Sequence, residues 1–125
     1  MTLVDTSIWI DHLRDNDSRL AALLEAGEVL CHPFVVGELA LGSPRQRESA
    51  AVLLDGLPHA AVATDAEVFE LIAANRLFGR GIGYVDCHLL AAARMEPETV
   101  FWTRDRRLHA AAIDLGVASP LGATH

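Results

Sequence analysis

Residues 1–13 read MTLVDTSIWIDHL, and the order of residue types within them points to the fold class. Thr2-Leu3-Val4 is a short apolar run suited to a buried strand, and it stops at a carboxylate, Asp5. Thr6 or Ser7 then supplies a helix cap, behind which Ile8, Trp9, Ile10 and Leu13 begin a helix. The alternation continues along the chain. Asn16-Asp17-Ser18 caps a helix carrying Leu20, Leu23 and Leu24 and stopped by Gly27. A second strand spans Glu28 to Cys31, and Pro33 suits the first turn of a helix that carries Glu38 and ends near Gly42. Ser43-Pro44 opens another helix to about Leu54, broken by Asp55-Gly56. Ala60 to Ala63 is a third strand, and Thr64-Asp65 caps a long helix through Phe78. A loop with Gly79, Gly81 and Gly83 leads to a helix from Val85 to Arg94. Thr99 to Trp102 is a fourth strand, Asp105 to Leu115 a last helix closed by Gly116, and Val117-Ala118 a short fifth strand. Strands alternating with helices predict an α/β fold, a mainly parallel sheet of four to five strands sandwiched by helices. At this length, residues 1–125 form one domain.

Composition narrows the classes of function. Hydrophobic residues make up 51% of the chain, which supports a core and argues against disorder. No apolar run has the length of a membrane span, and the N-terminus meets acidic residues without a basic leader, so a cytoplasmic protein is expected. Cys31 and Cys87 show no paired spacing and fit small buried hydrophobes in a reducing compartment. The net charge of −7 argues at first against a nucleic-acid partner. All ten basic residues are arginine, a side chain suited to bidentate phosphate contacts, although a GC-rich genome alone explains that usage.

Residues 35–42, VVGELALG, place one carboxylate, Glu38, in an apolar run whose Val35, Val36, Leu39 and Leu41 should face the core. A lone buried carboxylate is costly unless paired, hydrogen-bonded or bound to metal. Three aspartates supply a context. Asp5 ends the first strand, Asp105 follows the fourth, and Asp86 lies in the first turn of its helix after the glycine-rich loop. In an open α/β sheet, ligands bind outside the carboxyl ends of the strands, where all four acids converge. Each aspartate alone reads equally well as a helix cap or dipole partner, and Glu38 as part of an exposed ridge. Together they point to a cation, because like charges gathered in one pocket repel unless one compensates. An all-oxygen set favours Mg²⁺ or Mn²⁺ over zinc. The histidines at 12, 32, 59, 88, 109 and 125 lack ligand spacing and are left out of the site. Acidic sites of this kind chiefly serve phosphoryl chemistry, activating water and screening phosphate, which removes the objection from net charge.

LVDTSIWI at the N-terminus, GEL within a helix, YVDCHLLAAA and FWTRDRRL resemble, in order and spacing, the PIN-domain ribonucleases, most closely the VapC toxins of type II toxin–antitoxin pairs. The resemblance runs from Thr2 to about Val117. It implies a PIN fold, RNA cleavage dependent on Mg²⁺ or Mn²⁺, a VapB-type antitoxin partner and a homodimer. Carried over by position, the acidic quartet falls on Asp5, Glu38, Asp86 and Asp105. Asp5 and Asp86 are then the main metal ligands, Glu38 holds metal directly or through water, and Asp105 completes a second position or orients water. Thr6, Ser7 and Thr103 match positions where hydroxyls support the site, a role compatible with capping. Cys87-His88 departs from the small or apolar residues of many relatives and is assigned no chemistry.

Other readings fit less well. A phosphate-accepting receiver domain needs a lysine, and the chain has none. A haloacid-dehalogenase-type phosphatase would carry a second aspartate where Ser7 stands, and residues 79–83, GRGIG, lack dinucleotide-binding spacing. The remaining alternative is a catalytically silent PIN-like module that binds RNA or protein. Loss of an acid would mark it, and all four acids are present. The apolar positions Ile8, Trp9, Ile10 and Leu13 leave open either a core face or a surface for a protein partner.

Overall fold

A computed structural model describes residues 1–122, so His125 lies outside the described residues. Three parallel strands form the sheet: β1 (Thr2–Val4), β2 (Val29–Leu30) and β3 (Val100–Trp102), in the order β2-β1-β3. Thr2 pairs with Val29 and Val100, Leu3 with Leu30 and Phe101, and Val4 with Trp102. Helices follow as α1 (Thr6–Asp15), α2 (Ser18–Glu25), α3 (Pro33–Ala40), α4 (Pro44–Leu54), α5 (Asp65–Asn75), α6 (Tyr84–Met95) and α7 (Arg106–Asp114). β1 is central and wholly buried, as its uninterrupted apolar run requires. Leu3 and Phe101 on one face of the sheet, and Val4 and Trp102 on the other, are buried in a core shared with Trp9, Leu20, Leu89, Leu90 and Leu108.

Two sheet expectations need correction. Residues 60–63 and 117–118 are not strands, so the sheet has three strands where four to five were expected. Each outer segment makes one parallel bridge, Cys31 to His59 and Phe101 to Ala118, extending the sheet by one contact at either edge. The first segment is AAVA, and alanine has little side chain to pack on a pleated surface; Val62 stands in solvent.

Several helix ends also differ. Asp5 occupies the N-cap of α1, and its side chain accepts no backbone N–H of that helix. Thr6 and Ser7 lie inside the helix with their hydroxyls turned elsewhere. α5 stops at Asn75, three residues short of Phe78, because Arg76 takes a left-handed conformation at φ 51°. Its start is held as expected by a reciprocal pair, Thr64 Oγ1 accepting from Glu67 N and Glu67 Oε1 from Thr64 N. On α1, Ile8 and Trp9 are core residues. That leaves Ile10 and Leu13, both half-buried, as the apolar positions of this helix still open to a partner.

Candidate metal centre

The carboxyl ends of β1 and β3 lie side by side, which sets the centre of the site. Asp5, 7% exposed, follows β1 directly. Its Oδ2 accepts from Ser7 Oγ at 2.9 Å and from Thr103 Oγ1 at 2.7 Å. Thr103 is fully buried just beyond β3, and its hydroxyl accepts from Asp105 N at 3.1 Å. Ser7 Oγ likewise accepts from Arg104 N at 3.2 Å. Two hydroxyls thus fix a buried carboxylate and fasten the loop that carries the next acid.

Asp105, exposed at the start of α7, uses Oδ1 to accept from Arg107 N at 2.8 Å and Leu108 N at 3.1 Å. The capping interpretation therefore accounts for one of its oxygens. Asp86, half-buried in the first turn of α6, accepts from Gly83 N through Oδ2 at 2.8 Å. Glu38 is exposed, a correction to the expected buried carboxylate. Val35 and Leu39, one helical turn apart, take the core side of α3, while Val36 and Leu41 face solvent with Glu38. Glu38 is still tied to β1's end, since Thr6 Oγ1 donates to its Oε1 at 2.8 Å. Each of the four carboxylates spends one oxygen on the protein. The second, Asp5 Oδ1, Glu38 Oε2, Asp86 Oδ1 or Asp105 Oδ2, has no donor among the described residues.

Asp86 feels the other three acids. Burial pushes the Asp86 carboxyl above the usual range. The Gly83 N–H opposes that, and the charges of Asp5, Asp105 and Glu38 add to the rise. Acids from four separate elements therefore meet electrostatically in one place. Among the described residues, no three His, Cys, Asp or Glu side chains are already drawn close enough to hold a metal ion. The donor set nevertheless fits a hard divalent cation: it is all oxygen, it carries excess negative charge, and one oxygen of each carboxylate is free. Asp86, Glu38 and Asp105 all retain solvent access.

Residues 2–114 match the family model described as PIN domain. The chain belongs to the PIN-domain family. Two Mycobacterium tuberculosis proteins, from strains CDC 1551 and H37Rv and each called Ribonuclease VapC32, are 49% identical to this PIN domain over 118 residues. The match covers 94% of the present chain and 95% of each relative, so it places this PIN domain among the VapC ribonucleases over nearly its full length.

One network beside the site was not anticipated from the sequence of this PIN domain. Asp65 Oδ1 accepts from Tyr84 Oη at 2.6 Å and lies 3.1 Å from His88 Nε2. The Tyr84 hydroxyl, and then the His88 contact, hold the Asp65 carboxyl below its ordinary range, while Tyr84 itself is pushed up to about 12, chiefly by Asp65. The trio ties the start of α5 to the first turn of α6, the turn that carries Asp86. The spacing of Tyr84 and His88, one helical turn apart, was readable; their common partner 19 and 23 residues earlier was not. Cys87 and His88, given no chemistry, are both buried.

Proposed function

We propose that this chain is a divalent-metal-dependent endoribonuclease, a single PIN domain over residues 1–125 that acts as the toxin of a VapBC-type toxin–antitoxin pair in the cytoplasm. Asp5, Glu38, Asp86 and Asp105 would hold the cation, Mg²⁺ or Mn²⁺, through the oxygens not engaged by protein. A hard divalent cation bound there supplies charge to a phosphodiester and to an attacking water. The protein's own part is positioning. Thr103 and Ser7 lock Asp5, Thr6 steadies Glu38, and the Gly83 N–H and α7 amides orient Asp86 and Asp105. The observation that carries the reading is a buried Asp5 locked by two hydroxyls, with one oxygen of each of the four acids left without a donor among the described residues. A structural cap has no need of that arrangement. Among the described residues, no helix is long and apolar enough to cross a membrane.

The test is cleavage of structured RNA with an exposed single-stranded loop. Cutting in Mn²⁺ or Mg²⁺, abolished by EDTA and by Asp86→Ala with an intact circular dichroism spectrum, supports the reading. Full activity of Asp86→Ala, or cutting in EDTA, refutes it. Asp86 serves better than Asp5 here, because removing buried Asp5 orphans two hydroxyls.

The proposed partner is a small VapB-type antitoxin. A groove of about 420 Å³ between α1 and α4 suits a segment of such a protein, with Ile10 and Leu13 on one wall and Arg14 and Arg45 at its rim. Expression without the neighbouring antitoxin gene should be toxic. A homodimer is also proposed, supported by an exposed aromatic face. Phe34, Phe69 and Tyr84 are 36%, 60% and 41% exposed, and the Phe69 and Tyr84 rings lie 5.7 Å apart.

A further inference from the structure

We infer that Arg107, seated over Gly81 at the rim of the acidic site, binds an RNA phosphate next to the one being cut. The inference rests on the proposed ribonuclease reading and adds to it the residue that grips the substrate backbone. Arg107 starts at the acidic centre: its own N–H donates to Asp105 Oδ1. Its side chain then crosses to the loop before α6. A Cβ on Gly81 would collide with the guanidinium and stand 3.0 Å from Arg107 Cδ and 3.2 Å from Cζ. Gly81 also has φ +78°, a conformation glycine adopts without strain. The loop thus takes the one residue that leaves room for this arginine. Two positions on, Gly83 N–H is bound by Asp86. Arg107 therefore spans from the cap formed by Asp105 to the loop fastened by Asp86.

Its charge is unspent. Among the described residues Arg107 has no ion pair and no side-chain hydrogen bond, whereas Arg19, Arg80 and Arg104 pair with Asp17, Asp114 and Asp11 respectively. This occurs in a chain with a net charge of −7, two residues from Asp105. An exposed arginine that pairs with no acid among the described residues has its planar fork free for a phosphate. A polyanion approaching an acidic site meets cation charge at the centre only when metal is bound. The neighbouring phosphates need a protein cation, and Arg107 is held where the backbone enters.

Binding of a short fluorescein-labelled, mixed-sequence single-stranded RNA is measured by anisotropy over a series of salt concentrations. Ca²⁺ is present to supply charge at the site, and cleavage is followed in parallel in Mn²⁺. Arg107→Gln should weaken binding about tenfold, the scale of one lost charged hydrogen bond. It should also flatten the slope of log affinity against log salt by about 0.7, the value for one phosphate contact on a single strand. Arg107→Lys should restore the slope and only part of the affinity. Arg94→Gln makes the same change in net charge at the far end of α6, where Arg94 bonds Asn75, and should leave slope and affinity unchanged. Equal slopes for Arg107→Gln and Arg94→Gln overturn the inference while wild-type cleavage upholds the enzyme. Wild-type protein that cuts no RNA but shows the Arg107 effect on slope overturns the ribonuclease reading and leaves the phosphate contact standing. Wild-type protein that binds no RNA overturns both.

Discussion

Thr103→Val removes one hydroxyl and almost nothing else, and the structure sets the size of the loss. Valine matches threonine in shape, so no cavity opens at this fully buried position. Two hydrogen bonds disappear. One is the 2.7 Å bond to the Asp5 carboxylate, of a kind worth about 1.5–3 kcal/mol; the other accepts from Asp105 N at 3.1 Å and is worth about 0.5–1.5 kcal/mol. Ser7 still donates to the same Asp5 oxygen, which places the expected cost near the lower part of that range, about 2–3 kcal/mol. For a domain of this size that is a fall in Tm of roughly 8–12 °C. Cleavage should suffer separately, by about 10–100-fold at fixed Mn²⁺, the usual effect of losing the partner that orients a metal ligand. Thr103→Ser keeps the hydroxyl and loses one buried methyl, about 1 kcal/mol. Thermal melting in EDTA and in Mn²⁺, with initial cleavage rates, reads out both effects. If Thr103→Val melts within about 2 °C of wild type, or if Thr103→Ser falls equally far, Asp5 does not depend on that hydroxyl.

Three further outcomes are expected. A carboxyl whose folded pKa is raised binds protons more readily in the folded state, so Asp86 costs stability as pH rises through its folded pKa. In EDTA, Asp86→Asn should therefore melt higher than wild type at neutral pH, with a shallower pH dependence and a smaller gain on adding Mn²⁺. A lower melting point with the metal response intact would reduce Asp86 to a helix cap. Trp9 and Trp102 are 0% and 1% exposed, so iodide should scarcely quench the native fluorescence, and Trp9→Ala should cost about 3–5 kcal/mol in urea unfolding; strong quenching would return Trp9 to a partner surface. Phe69→Ser with Phe34→Ser should shift the protein to monomer in sedimentation while preserving its circular dichroism, and an unchanged dimer would move the interface elsewhere.

The parts of this molecule legible in its sequence are those set by neighbours along the chain. Val4 before Asp5, Thr64 three residues before Glu67, and Gly116 after Leu115 each announce a local boundary, and those boundaries stand where expected within a residue or two. The convergence of four acids was readable because parallel strands send their carboxyl ends to one edge. What failed depended on context from elsewhere. Thr6 and Ser7 look like caps, yet their hydroxyls serve Glu38 and Asp5, and the second donor to Asp5 lies 98 residues away. Glu38 sits in an apolar run, yet α3 lies against the body of the protein along one side only, so half of that run faces water. Residues 60–63 form a short apolar run, but Cys31, just beyond a two-residue strand, bridges only to His59 before them. Arg107 and Gly81 signal nothing by type; only the folded loop brings them together.

The position of β1 between β2 and β3 has a consequence for the newborn chain. Asp5 is made about a hundred residues before Thr103 and Asp105. At a synthesis rate of about 5–20 residues per second, roughly 5–20 s pass before the first strand can meet its second neighbour. Until then the central strand lacks one side of its ladder, and the acid set is missing a member. With Asp5 and Asp105 in the proposed metal site, a nuclease under assembly on an RNA machine stays unarmed until β3 and the residues just after it are made, a delay in its onset that the strand order itself imposes.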